Sequence, residues 1–112
     1  MSTDKSADMN HWQSICKLDE IPAQGARVVK REGKTDIALF RTLDNRVFAL
    51  DDHCPHKGGA LSHGLVYGDT VACPLHNFKI SLQTGQAQAP DEGHTPCHKV
   101  ELRDDTVWLA VD

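Results

Sequence analysis

Two short segments restrict the fold of this chain more than any other feature. "DDHCPHKGG" at residues 51–59 holds Cys-x-His at Cys54 and His56, and "CPLH" holds Cys-x-x-His at Cys73 and His76. By ligand type alone, two thiolates and two imidazoles suit a tetrahedral Zn²⁺ ion. The spacing points elsewhere. Zinc-finger ligands come with like beside like, whereas each segment here supplies one cysteine and one histidine. That alternation suits a two-iron cluster in which one iron takes both cysteines and the other both histidines. In either case the remaining chain must bring two loops together and hold them.

The remaining chain is written in short strands. "WQSICKL" (12–18), "ARVVKR" (26–31), "DIALFRT" (36–42) and "RVFALDD" (46–52) are β-rich, with "EGKTD" and "LDNR" as turns between them. "LVYGDTVAC" (65–73), "FKISLQTGQAQA" (78–89) and "HKVELRDDTVWLAV" (98–111) read as hairpins turning at Gly-Asp, Thr-Gly and Asp104-Asp105. A helical period is absent apart from a short helix expected near Gly59–Ser62. The chain is therefore expected to be all-β, an antiparallel sandwich or barrel in one domain. Hydrophobic residues make up 39% and aromatics 5%, so the core is thin and a metal or cluster would help to hold it.

Charge and hydropathy exclude some partners. The net charge is −4 and no basic stripe gathers the Lys and Arg residues, which argues against nucleic acid. No apolar run reaches the roughly 18–20 residues that a membrane-spanning helix needs. Residues 1–10, "MSTDKSADMN", read as a flexible polar lead-in rather than a secretory signal. The expected location is the cytoplasm, where thiols stay reduced.

The pattern carried by "CPHKGG" and "CPLHNF" resembles the Rieske family over about residues 11–112. The resemblance implies a β-sandwich base with a small cluster-binding subdomain at about residues 53–80. It also implies one [2Fe–2S] cluster held by Cys54, His56, Cys73 and His76. With two thiolates and two neutral imidazoles the oxidised site is neutral and one electron takes it to −1. Four thiolates would demand the harder step from −2 to −3. High-potential members carry an extra cysteine in each loop and a hydroxyl beside the cluster. Here Lys57–Gly59 and Leu75 supply no cysteine, and Asn77-Phe78 stands where the serine is expected. A low-potential centre is therefore implied. It has no open coordination position, so no substrate turnover is expected from this chain alone.

A wider resemblance lies in "WQSICKLDEIP", "RVFALDDHCPHKGGALSHGLVYGDTVACPLHNFKISLQTGQA" and "PDEG". These are similar to the small subunit of assimilatory NAD(P)H-dependent nitrite reductase. The implied partner is the large subunit, which holds flavin and sirohaem and reduces nitrite to ammonium. One departure is His94, which stands where a cysteine is common in relatives, with Cys97 nearby. Two alternatives remain: a ferredoxin serving an aromatic-ring-hydroxylating dioxygenase and its reductase, and a β module with structural Zn²⁺ on the same four residues.

Other residues compete for attention. Cys16 and Cys97 are expected to be buried, inert thiols. His53, His63 and His94 are expected at the surface or beside the ligands, and Asp51 and Asp52 as solvated strand-end charges, with the orienting of a ligand by one of them as the alternative. Pro55 and Pro74 stiffen the loops, Gly58 and Gly59 allow tight turns, and Leu75 and Phe78 are expected to shield the cluster. "APDEGHTP" (89–96) reads equally well as a third loop over the cluster or as an ordinary turn.

Overall fold

In a computed structural model the described residues are 12–55, 59–73, 78–89 and 92–110. They contain β1 (Trp12–Lys17), β2 (Gly25–Val29), β3 (Ile37–Arg41), β4 (Val47–Asp51) and β5 (Leu65–Tyr67). These are followed by β6 (Thr70–Cys73), β7 (Phe78–Ser81), β8 (Cys97–His98), β9 (Val100–Arg103) and β10 (Thr106–Ala110). All pairings are antiparallel, and the strands form three sheets ordered β1-β10-β9, β2-β3-β4-β8 and β5-β6-β7. The all-β expectation holds. Residues 1–10, expected as a lead-in, lie outside the described residues.

Strand β3 explains the layering. Its "IALF" run does not alternate with polar residues because Ile37, Ala38, Leu39 and Phe40 are all buried. Side chains alternate across a strand, so this run must be covered on both faces. Ile37 and Leu39 join Ala49, Cys16, Ile21, Val107 and Leu109 in one buried cluster. Ala38 and Phe40 join Leu50, Leu61, Val66, Val71, Phe78, Ile80 and Leu82 in another, which also contains Cys54 and Cys73. The β2-β3-β4-β8 sheet is thus the middle layer, with the other two sheets on opposite faces. Each large side chain buried this way contributes about 1.5–3 kcal/mol of transfer free energy.

Turn chemistry behaves as read. Asp104 and Asp105 both adopt positive φ, 49° and 67°, as a two-residue hairpin between β9 and β10 requires. Short carboxylate side chains tolerate that region better than most. On the outer face of the β1-β10-β9 sheet, the Arg103 guanidinium lies 5.3 Å from the Trp12 ring centroid and 5.1 Å from that of Trp108. This cation–π stack ties β1, β9 and β10 side by side.

Two expectations need correction. The segment 78–89 is a hairpin only in part: it turns back at Thr84-Gly85 and pairs with β7 through one isolated bridge, Ile80↔Ala87, while Gln86 bridges away from β7 to His94. The returning residues divide their hydrogen bonds between β7 and residues 93–95. Gln88 donates its N–H to the Lys79 carbonyl, while Ala87 donates to Gly93 and Thr95 donates to Gly85. The short helix is a single 3-10 turn at Leu61–His63 rather than at Gly59–Ser62. No helix among the described residues is long and apolar enough to cross a membrane.

Candidate metal centre

The first loop leaves the middle sheet at the end of β4. Cys54 lies three positions beyond Asp51, is fully buried, and donates its backbone N–H to the Gly59 carbonyl at 2.8 Å. That bond closes a tight loop whose ends are fixed. The second cysteine, Cys73, is the last residue of β6 and pairs across the sheet with Phe78, the first residue of β7. Both Cys73 and Phe78 are buried. The two ends of the second loop, Cys73 and Phe78, are therefore locked into register.

Cys54 and Cys73 come from different sheets, yet they share one buried cluster with Leu50, Leu61, Phe78 and Ile80. Two soft sulfur donors at loop ends, backed by apolar side chains, fit a thiolate-bound iron or zinc. The apolar backing limits solvent access, which is one of the levers on such a site's potential. His56, His76 and Leu75 lie outside the described residues, as do Pro74, Lys57, Gly58 and Asn77. Among the described residues no group of three or more His, Cys, Asp or Glu forms a metal cage.

Residues 92–96 run toward the first loop. Gly93, at φ 122°, is so placed that a Cβ there would lie 3.5 Å from Pro55 Cβ. A glycine is also required at Gly85, where φ is 78° and a Cβ would collide with the Thr95 carbonyl oxygen. Thr95 is buried, and the Pro96 carbonyl accepts the Asp51 N–H at 2.9 Å. This segment is thus bonded to the end of β4 and passes beside the residue that follows Cys54.

Asp51 and Asp52 are not solvated strand-end charges. The Asp51 side chain is only 16% exposed; its Oδ1 accepts from Arg31 Nη2 at 3.2 Å and lies 2.6 Å from His98 Nε2. Asp52 accepts from the Ser62 N–H at 2.6 Å and from its hydroxyl at 2.8 Å, which ties the 3-10 turn to the residue after β4. Sequence spacing could not reveal these ties, because the partners come from distant segments.

The remaining thiols divide. Cys16 is buried in the other cluster, and desolvation pushes its pKa up, with Arg27 opposing and Glu20 adding to the rise. Cys97 is exposed, contrary to the expectation of burial, because it lies on the two-residue edge strand β8. His53, His63 and His94 are exposed, as expected.

Comparison with known proteins agrees with this arrangement. Residues 11–110 match the family described as the Rieske-like [2Fe-2S] domain. The chain is 36% identical over 99 residues to the 3-phenylpropionate/cinnamic acid dioxygenase ferredoxin subunit of Photorhabdus laumondii, covering 87% of this chain and 91% of that protein. It is 38% identical over 105 residues to the nitrite reductase NAD(P)H large subunit of Klebsiella oxytoca, covering 88% of this chain and 11% of that protein. A solved structure assigned as the small subunit of an NADPH nitrite reductase superposes with a TM-score of 0.77 at 31% identity, over 89% of this chain and 98% of the other. The chain belongs to the family of Rieske-like [2Fe–2S] domains, and it is a Rieske-type electron carrier, a component of oxidoreductase systems.

Proposed function

We propose that Cys54, His56, Cys73 and His76 hold the cluster, the cysteines on the buried iron and the histidines on the outer one. The cluster-binding subdomain is then about residues 53–80, built on the β5-β6-β7 sheet. When bound, the cluster supplies reversible one-electron transfer. The chain's own groups set its conditions. Leu61 and Phe78 exclude water from the sulfur side. The Cys54–Gly59 bond and the Cys73–Phe78 pairing fix the ends of the two loops that carry the histidines. Without an added cysteine or hydroxyl in the loops, the potential belongs toward the low end of the Rieske window of roughly −150 to +300 mV.

We further propose that the chain is the small subunit of an NAD(P)H-dependent nitrite reductase of the cytoplasm, relaying electrons within a complex whose large subunit holds flavin and sirohaem. The observation that carries this reading is the position of Gly93, the last residue of "PDEG", one of the stretches similar to that family. Gly93 lies against Pro55, the residue after Cys54, so the end of that stretch borders the site. The matches to a nitrite reductase large subunit and to a small-subunit structure support it. The test is reconstitution: the large subunit is assayed for NADH-dependent nitrite loss with and without this chain. Activity that depends on the chain, and is lost in His56→Cys, is the expected result; full activity without it overturns the reading.

A second reading has its own support, the match over 91% of a dioxygenase ferredoxin subunit. It makes the chain a ferredoxin feeding a ring-hydroxylating oxygenase. Chain-dependent turnover of an aromatic substrate by such an oxygenase, with no effect on nitrite reductase, selects it.

A further inference from the structure

Asp51 lies where three parts of the molecule meet. Its carboxylate is held by Arg31, two positions beyond the end of β2, and by His98 on β8, and all three side chains are largely buried at 22%, 16% and 19% exposure for Arg31, Asp51 and His98. A carboxylate only accepts, so the bond from His98 uses an imidazole N–H. The Arg31 guanidinium is itself fixed, its Nε donating to the Thr35 carbonyl at 2.7 Å. The Asp51 backbone carries further ties. Its N–H donates to the Pro96 carbonyl, its carbonyl accepts the His53 N–H at 2.8 Å, and the Thr95 hydroxyl lies 3.5 Å from that carbonyl. One residue therefore joins the base sheet, the start of the Cys54 loop, and the end of the 92–96 segment that passes Pro55.

We propose that Asp51 is a positioning residue for electron transfer: its carboxylate, oriented by Arg31, holds His98 and so keeps β8 and the residues 92–96 that lead into it seated against the Cys54 loop, which keeps water from the cluster. This rests on the ligand assignment above, but not on which partner receives the electron. The consequence is a change in potential of known sign. Reduction takes the site from neutral to −1, and water stabilises the charged form more than the neutral one. Freeing the segment therefore favours the reduced state and raises the potential.

Two substitutions with opposite charge changes test it. Asp51→Asn removes a negative charge and Arg31→Gln removes a positive one, while each replaces the charged bond between the two by a weaker one with a neutral partner. The full chain with its cluster is titrated by EPR-monitored reduction, with iron content measured beside it. Positioning predicts that the potential rises in both variants. A through-space effect of the lost charges alone raises it in Asp51→Asn and lowers it in Arg31→Gln, which overturns the proposal, as does no shift in either. If Asp51→Asn fails to hold its cluster, the sign in Arg31→Gln decides, with His98→Gln as its substitute. A parent chain without a Rieske EPR signal refutes the ligand assignment itself. A parent with that signal and variants of opposed sign refutes the positioning role only.

Discussion

The middle sheet is buried on both faces, and the two faces serve different ends. Toward β1, β9 and β10 it packs Ile37, Leu39 and Ala49 against Ile21, Val107 and Leu109, with Cys16 among them. Toward β5, β6 and β7 it packs Ala38, Phe40 and Leu50 against a cluster that includes Cys54 and Cys73. All three cysteines are buried, so burial does not separate them. Position does. Cys16 lies within β1, paired opposite Val107 beside a register shift, and burial pushes its thiol pKa up. Cys73 ends β6 and Cys54 lies three positions beyond β4, so that each sulfur is fixed by packing at the start of a loop. One face provides stability, and the other provides a site that the first holds in place.

The contrast breaks most sharply with the cysteines themselves. Cys54→Ser or Cys73→Ser should abolish the cluster, with iron content and visible absorbance at background, while Cys16→Ser should leave both intact; retained colour in Cys54→Ser would remove the distinction. His76→Cys should be milder, keeping a cluster but moving its potential toward the roughly −400 mV of all-cysteine ferredoxins. Voltammetry reads this directly, and an unchanged potential would strike His76 from the ligand set.

On the opposite face the effect should be thermodynamic. Leu109→Ala removes a fully buried side chain and should cost about 2–5 kcal/mol in urea denaturation, with no change in the spectrum of the folded protein. A shifted potential in that variant would mean that the two faces are not separate.

The smallest effect concerns pH. The Asp36 carboxylate accepts from the Arg31 N–H and pairs with Lys30, and both hold its pKa below the usual carboxylate range. Its contribution is present in full above the unfolded value of about 3.9 and is lost as pH falls through the lower folded value. The stability gap between the parent and Asp36→Asn should therefore be open at pH 6 and narrow toward pH 3. A gap of equal size at both would contradict the assignment.

Much of this contrast was legible in the sequence. The β-rich "DIALFRT" run announces a strand and Asp104-Asp105 a hairpin, because both signals are local, whereas the cover on both faces of β3 comes from distant segments. The alternation of cysteine and histidine in each loop likewise needs no tertiary knowledge. What escaped is what depends on distant partners. Asp51 reads as a strand-end charge until Arg31 and His98 arrive from 20 and 47 positions away. Cys97 reads as a buried thiol because nothing nearby shows that its strand is two residues long and lies at a sheet edge.

The stacking of Trp12, Arg103 and Trp108 has a practical consequence. The chain has two tryptophans, and both sit on the β1-β10-β9 sheet. Ultraviolet emission is thus a local gauge of that side, and the iron chromophore is a local gauge of the other. Following one denaturation at both wavelengths would show whether the two halves come apart in a single step, with no label attached.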